Sequence, residues 1–297
     1  MPAFSLVTLN CFGVPTPTTR PRLRALAQVL NHDPHDVVCL QEVQTHGYGT
    51  LLTRACTQYP ASTSEPFVHA PKGGLLTLAR LPITQRAFTL YRTRMIVSPL
   101  AVMDWVLHKG VLLTRGSRAQ VPIIVLNTHL SANYRANWDP DNRYARVEQR
   151  QLQQLAAIVR AQPPEAIVIA AGDLNIPRGS WLYTEFLAAS GMIDPLAGDA
   201  RPTQRMPPGI PARFALPIDF ALVRLPPLPR LRVQSAHCFS QQVPIPGARP
   251  GYLSDHVGIA LHIAWGERDD PSLRERFDPA VLLARDAHVI TDDCTGV

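Results

Sequence analysis

Lysine is nearly missing from this chain: of 29 basic side chains only Lys72 and Lys109 are lysine, and the rest are arginine scattered through the sequence. A gathered basic arm of the kind that wraps nucleic acid is therefore excluded, and dispersed arginine reads as solvated surface. Cysteine is sparse too. Cys11, Cys39, Cys56, Cys238 and Cys294 are odd in number, far apart and never in a CxxC pair, which argues against structural zinc and against a disulfide framework. Cys11 and Cys39 fall in apolar strand patterns, where cysteine acts as a small buried hydrophobe. No run of about 20 apolar residues occurs, and the N-terminus enters FSLVTLN without a charged region, apolar core and cleavage site. A membrane span and a secretory leader are not expected, and a cytoplasmic location is. Internal repeats and low-complexity blocks are likewise lacking.

What is present is a set of apolar runs that end in polar residues. Ala166 to Ala171 stops at Gly172 and delivers Asp173 and Asn175 as GDLN. Asn10 closes FSLVTL, Glu42 follows VVCLQ, His129 follows PIIVLNT, and Asp255-His256 opens VGIALHIAW. Buried strands read as continuous apolar runs, and ligands of sheet proteins gather where strands end. Five strand-end sites together point to one polar pocket. Because Asn10 and His256 would both belong to it, the two ends of the 297-residue chain must meet in one fold. A chain of this length buries roughly 75% of its unfolded surface, enough for a substantial single core.

Strands are expected at FSLVTLN, DVVCLQE, GGLLTLARLPI and VPIIVLNTHL. Two more are expected in SPLAVMDWVLHKGVLLTRG, meeting around His108 to Gly110, and two in PPGIPARFALPIDFALVRLPPLPRLRV, broken by Pro-Pro turns. Leu23, Leu26 and Leu30 recur at helical spacing behind Thr19 and Pro21, as do Val147, Leu152, Leu155 and Val159 before the GDLN strand. Strands and helices mix without strict alternation. From Gly266 onward the pattern turns to charges, with Val281, Leu282 and Leu283 as a short helix that could dock, and this tail reads as peripheral.

In this order TLN, QE, NTHL, GDLN, IDF and SDH resemble the endonuclease/exonuclease/phosphatase superfamily, the deoxyribonuclease I-like metal-dependent phosphoesterases, over roughly residues 3 to 265. The resemblance implies an α/β (α+β) fold: a four-layer αββα sandwich of two packed mixed β-sheets flanked by helices. It implies a catalytic domain over 1–265 with 266–297 as the tail. It also implies a phosphodiesterase using Mg2+ or Mn2+, with one ion or two left open. Such hydrolysis needs a cation to offset phosphate charge, a group that activates water, and donors for the phosphoryl oxygens. Glu42 suits the hard cation, Asn10 would orient that ligand or its water, and Asp255 resembles the acid closing the metal site from the opposite side. Asp173 is the natural base, with Asn175 and His129 as donors to phosphate. Asp219 of the IDF motif would hold one ring nitrogen of His256, fixing its tautomer.

The KGG string at Lys72 to Gly74, DWVLHKGV from Asp104, and NTHLSANYRANWDPDNRYARVEQ resemble the neutral sphingomyelinase branch. A phospholipid substrate and peripheral membrane contact follow from that likeness; Trp105 to Leu112 is a candidate exposed apolar element, although its pattern favours buried sheet. A net charge of +6 and a pI near 9.3 suit polyanions equally. Tyr134, Arg135, Trp138 and Arg143 could meet a nucleic-acid backbone by pairing and stacking. A binding module that has lost its chemistry would lack an acid or histidine of the set, and none is missing.

Overall fold

A computed structural model describes residues 2–93, 107–207 and 209–266. Two sheets form its centre. A six-stranded sheet runs in the order β10-β11-β1-β2-β4-β3, from Arg232–Cys238, Gly258–Ala264, Ala3–Asn10, Val37–Gln41, Leu76–Ala79 and Ala61–Thr63. A five-stranded sheet runs β5-β6-β7-β8-β9, from Gln85–Leu90, Gly110–Arg118, Val121–His129, Ile167–Asp173 and Asp219–Arg224. Each sheet is mixed: β1 and β2 are parallel, as are β7 and β8, and the other pairings are antiparallel.

The alternation of side chains along each strand builds the layers. Phe4 and Leu6, Val37 and Cys39, Ile123 and Val125, Ile167 and Ile169, and Ile259 and Leu261 face one another in the core between the sheets. Residues of opposite parity face outward. Val7, Leu9, Val38 and Leu40 meet Leu23, Leu26 and Leu30 of α1 (Thr19–His32) and Leu52 of α2 (His46–Ala55). On the other sheet Ile124, Leu126, Val168 and Ala170 meet Leu152, Leu155 and Val159 of α3 (Arg143–Arg160) and Leu182 and Phe186 of α4 (Trp181–Ser190). The result is the expected four-layer αββα sandwich.

The same parity carries the polar strand ends. Asn10, Gln41, Asn127, His129, Asp173 and Asp219 each lie an even number of residues from an inner-face hydrophobe of their own strand, so they turn into the seam between the sheets. Below the site, Gln41 Nε2 donates to Thr8 Oγ1 at 3.0 Å and to Asn127 Oδ1 at 2.8 Å. Asn127 Nδ2 answers across the sheets to the carbonyls of Leu40 at 3.3 Å and Leu76 at 3.1 Å. Gly172 makes this approach possible: its φ is +142°, and a Cβ there would lie 1.9 Å from the Thr128 carbonyl oxygen.

Several expectations need correction. GGLLTLARLPI yields β4, but KGG is a short 3-10 turn rather than a strand start. Of the pair expected in SPLAVMDWVLHKGVLLTRG, the second is β6, while residues 94–106, with Asp104 and Trp105, lie outside the described residues. Strand β6 is instead flanked by β5, an exposed edge with no apolar run to announce it. Leu107 and Lys109 to Leu112 are buried and His108 is half-buried, in keeping with the favoured buried-sheet reading of this stretch and not with an exposed apolar element. The expected helix at Val281 to Leu283 and Cys294 also fall outside the described residues. Among the described residues no helix is long and apolar enough to cross a membrane.

Candidate active site

Asp173 lies at the centre of the eight residues expected in the site. It ends β8, in register with His129 of β7 on one side and Asp219 of β9 on the other. Asn10 Nδ2 donates to Asp173 Oδ2 at 3.0 Å and to Glu42 Oε1 at 2.9 Å, coupling two carboxylates through one amide. His256 stands between Asp219 and the same Asp173, with Nδ1 2.8 Å from Asp219 Oδ2 and Nε2 3.9 Å from Asp173 Oδ2. The Asn175 N–H donates to Asp173 Oδ1 at 2.9 Å, and its side chain donates to the Leu130 carbonyl at 3.0 Å. All eight expected groups converge on the open end of the seam.

Backbone strain helps to aim them. Glu42 and Asn175 both hold positive φ, 58° and 53°, a conformation uncommon outside glycine. Glu42 is packed from below by Gly74 of the KGG turn, where a Cβ would lie 3.1 Å from Glu42 Cα.

The electrostatics divide the carboxylates by role. Burial raises the Asp173 carboxyl, and the neighbouring Asp219 charge raises it further, against the pull of His256, Asn10 and Lys109. A carboxylate lifted in this way accepts a proton readily near neutral pH. Burial alone would depress His256, but Asp219, Asp173 and Asp255 outweigh it and raise the imidazole well above its ordinary range. Asp219 Oδ1 is buried without a partner, so its hydrogen bonding is committed to His256 and, through Oδ2, to nothing else among the side chains. Asp219 thus serves to hold the ring.

Glu42 and Asp255 form the other group. Both are raised by burial, and the charge of Asp255 adds to the rise of Glu42. Glu42 accepts only from the amides of Asn10 and Gln44, at 2.9 and 3.3 Å, and neither acid has an ion-pair partner among the described residues. Two desolvated carboxylates whose charges interact fit a hard divalent ion such as Mg2+ or Mn2+, which takes oxygen ligands. The Asn10 side-chain oxygen Oδ1 accepts from the Phe12 N–H at 3.1 Å, and its Nδ2 braces Glu42. Donor atoms of Asp173, Asp219 and His256 also lie within 4.8 Å of one another. The imidazole there is already engaged by Asp219, and hydrogen bonding accounts for that grouping.

One residue was not anticipated in the site. Lys109 is 2% exposed, with Nζ 3.0 Å from His129 Nε2 and 2.6 Å from the Leu130 carbonyl. Burial, Lys109 and His256 together hold the His129 imidazole well below its ordinary range, so it is neutral. Nε2 is the ring atom that meets Lys109 and lies 3.5 Å from Asp173 Oδ2, while Nδ1 is buried without a hydrogen-bond partner. The signal for Lys109 was the rarity of lysine itself. Trp138 is half-buried against the α3 and α4 core with its indole nitrogen enclosed, and Tyr134, Arg135 and Arg143 are exposed.

Comparison with known proteins agrees with this geometry. The inositol phosphosphingolipids phospholipase C of Saccharomyces cerevisiae is 26% identical over 167 residues, 55% of this chain and 34% of that protein, so the match spans about a third of the relative's length. Sphingomyelinase C from Streptomyces griseocarneus shares the fold with a TM-score of 0.64 and 21% identity, covering 88% of this chain and 99% of that one. D. rerio TDP2 complexed with a single strand DNA product gives a TM-score of 0.67 at 17% identity, covering 88% and 99%. The profile of the Endonuclease/Exonuclease/phosphatase family matches residues 7–256. That match runs from the strand bearing Asn10 to His256 itself, and the chain belongs to the Endonuclease/Exonuclease/phosphatase family.

Proposed function

We propose that this chain is a divalent-metal-dependent phosphodiesterase that attacks its substrate with an activated water, and that the substrate is a phospholipid of the sphingomyelin type. The observation that carries the hydrolytic reading is the single pocket in which Asp173 contacts Asn10 and lies 3.5 Å from His129 and 3.9 Å from His256. Glu42, braced by Asn10, and Asp255 would hold Mg2+ or Mn2+, which when bound offsets charge on the phosphate. Asp173 takes the proton of the attacking water. His256, its ring fixed by Asp219, presents Nε2 to the developing charge, with Asn175 and His129 as further donors. Residues 1–265 would form the catalytic unit and 266–297 a peripheral tail, acting from the cytoplasm with peripheral membrane contact. The lipid assignment is supported by the match to the yeast phosphosphingolipid phospholipase C and by the KGG turn seated under Glu42.

The second reading is a nuclease, favoured by the net charge of +6 and by the structural likeness to TDP2 bound to a DNA product. An inactive binding module is disfavoured because every expected group is present. Hydrolysis of bis-p-nitrophenyl phosphate with added Mg2+ tests the reaction class. Asp173→Asn and His256→Gln are each expected to lose about 10² to 10³ in rate, and equal rates in all three proteins would defeat it. Sphingomyelin vesicles, plasmid and abasic DNA then separate the substrates: phosphocholine release without nicking supports the lipid reading, and nicking that vanishes in Glu42→Gln supports the nuclease.

A further inference from the structure

The turn that carries His256 is held by two arginines through its backbone. Four consecutive carbonyls, Leu253 to His256, are all taken: Leu253 by Arg22 Nη1 at 2.6 Å, Ser254 and His256 by Arg205 Nη1 at 3.0 and 2.6 Å, and Asp255 by the Arg205 N–H at 2.6 Å. Arg205 Nη2 reaches the carbonyls of Phe239 and Ser240 at 3.2 and 3.1 Å, and its guanidinium lies 4.1 Å from the centre of the Tyr252 ring. Arg205 belongs to a short irregular segment that also grips the other half of the dyad. Thr203 Oγ1 accepts from the N–H groups of Ile218 and Asp219 at 3.0 Å each, and the Thr203 carbonyl accepts from the Val257 N–H at 2.6 Å. Gln204 bridges His256 in antiparallel register. Asp219 and His256, bonded through their side chains, are thus both tied by their backbones to the 203–205 segment, Asp219 through its N–H to Thr203 and His256 through its carbonyl to Arg205.

We propose that Arg205 is a positioning residue for the hydrolytic reaction: its planar fork fixes the backbone of 254–256 so that the His256 imidazole stays seated on Asp219. The inference rests on the hydrolytic reading given above. A fork can collect several carbonyls in one plane, as the point charge of a lysine cannot, and misplacing a reacting group by about 1 Å can cost about 10²-fold in rate.

The test uses the full chain as wild type, Arg205→Lys and Arg205→Ala. The first readout needs no turnover. The proton on His256 Nδ1, shielded against Asp219, is followed by NMR and assigned by its loss in His256→Gln. It is expected to be sharp in the wild type and broadened or lost in both Arg205 variants while their far-UV circular dichroism is unchanged. Millimolar guanidinium, but not ammonium, is expected to restore it in Arg205→Ala. The second readout is hydrolysis of bis-p-nitrophenyl phosphate, where kcat should fall about 10-fold or more with KM changed less than about twofold and the same rescue. Where Arg205→Ala fails to fold, Arg205→Lys supplies the comparison. An unperturbed resonance in a folded variant, or rescue by ammonium equal to that by guanidinium, overturns the proposal. Resonance changes in the Arg205 variants beside a wild type that hydrolyses no diester defeat the hydrolytic reading and leave the seating of His256 by Arg205 standing.

Discussion

Glu148 shows how strongly the interior near the site is charged without being paired. It lies in α3 with 0% exposure, and the Asn133 and Trp138 side chains are the donors that face its carboxylate. Burial pushes its carboxyl well up; Asn133, Trp138 and the Lys109 charge oppose the rise, and Asp173 adds to it. A carboxyl whose pKa is higher in the folded than in the unfolded chain binds more protons when folded. Its contribution is therefore fully present below the unfolded value of about 4.5 and is lost as pH climbs toward the folded value. Glu148→Gln removes that dependence. In urea unfolding at pH 8 the variant is expected to gain about 1 kcal/mol or more relative to its standing at pH 5, and a parallel pH trend for both proteins would contradict this. Arginine teaches the converse lesson. Scattered along the sequence it read as solvated surface, yet Arg22 is 9% exposed and binds the Cys11 and Leu253 carbonyls, and the Arg178 side chain is 3% exposed against Asp194 at 2.7 Å. Spacing along the chain carries no record of which carbonyls a folded loop leaves for a guanidinium to collect.

At the scale of the element, the strands were legible because their apolar runs are long and their polar ends abrupt. Alternation alone placed Asn10, His129, Asp173 and Asp219 on inner faces. What escaped were elements without such runs: β5, whose exposed edge has nothing to bury, and the ten-residue helices α2 and α4, each capped by a side chain, Thr45 and Ser180. Gly172 tests how tightly these elements are fitted. With φ at +142° and the Thr128 carbonyl 1.9 Å from any added Cβ, Gly172→Ala must push β7 from β8 beside Asp173. The expected cost is about 3 kcal/mol, the upper range for overpacking a fitted core, read by urea unfolding, with a loss of hydrolysis in the fraction that remains folded. A variant as stable as wild type would show that the two strands have slack the geometry denies.

For the whole molecule, the candidate site lies where the two sheets and both ends of the catalytic region meet, so occupancy of that site and global stability are linked. Glu42 follows β2, Asp255 precedes β11, and Asn10 ends β1 between them. Burial makes both carboxylates costly to ionise, and the charge of Asp255 adds to that cost for Glu42. A divalent ion that binds only the folded chain at about 100 times its Kd adds about 2.7 kcal/mol, which for a chain of this size is roughly 5 °C in Tm. Thermal unfolding of the full chain in EDTA and then in excess Mg2+ or Mn2+ should show that rise. Glu42→Gln reverses the sign of both arms. In EDTA it relieves a buried charge and should unfold at or above the wild-type temperature, whereas in Mg2+ it should gain little and fall below the wild type. A metal-induced rise that survives Glu42→Gln would move the ion elsewhere, to the Asp173, Asp219 and His256 group, and would make Glu42 a brace for Asn10 instead of a ligand.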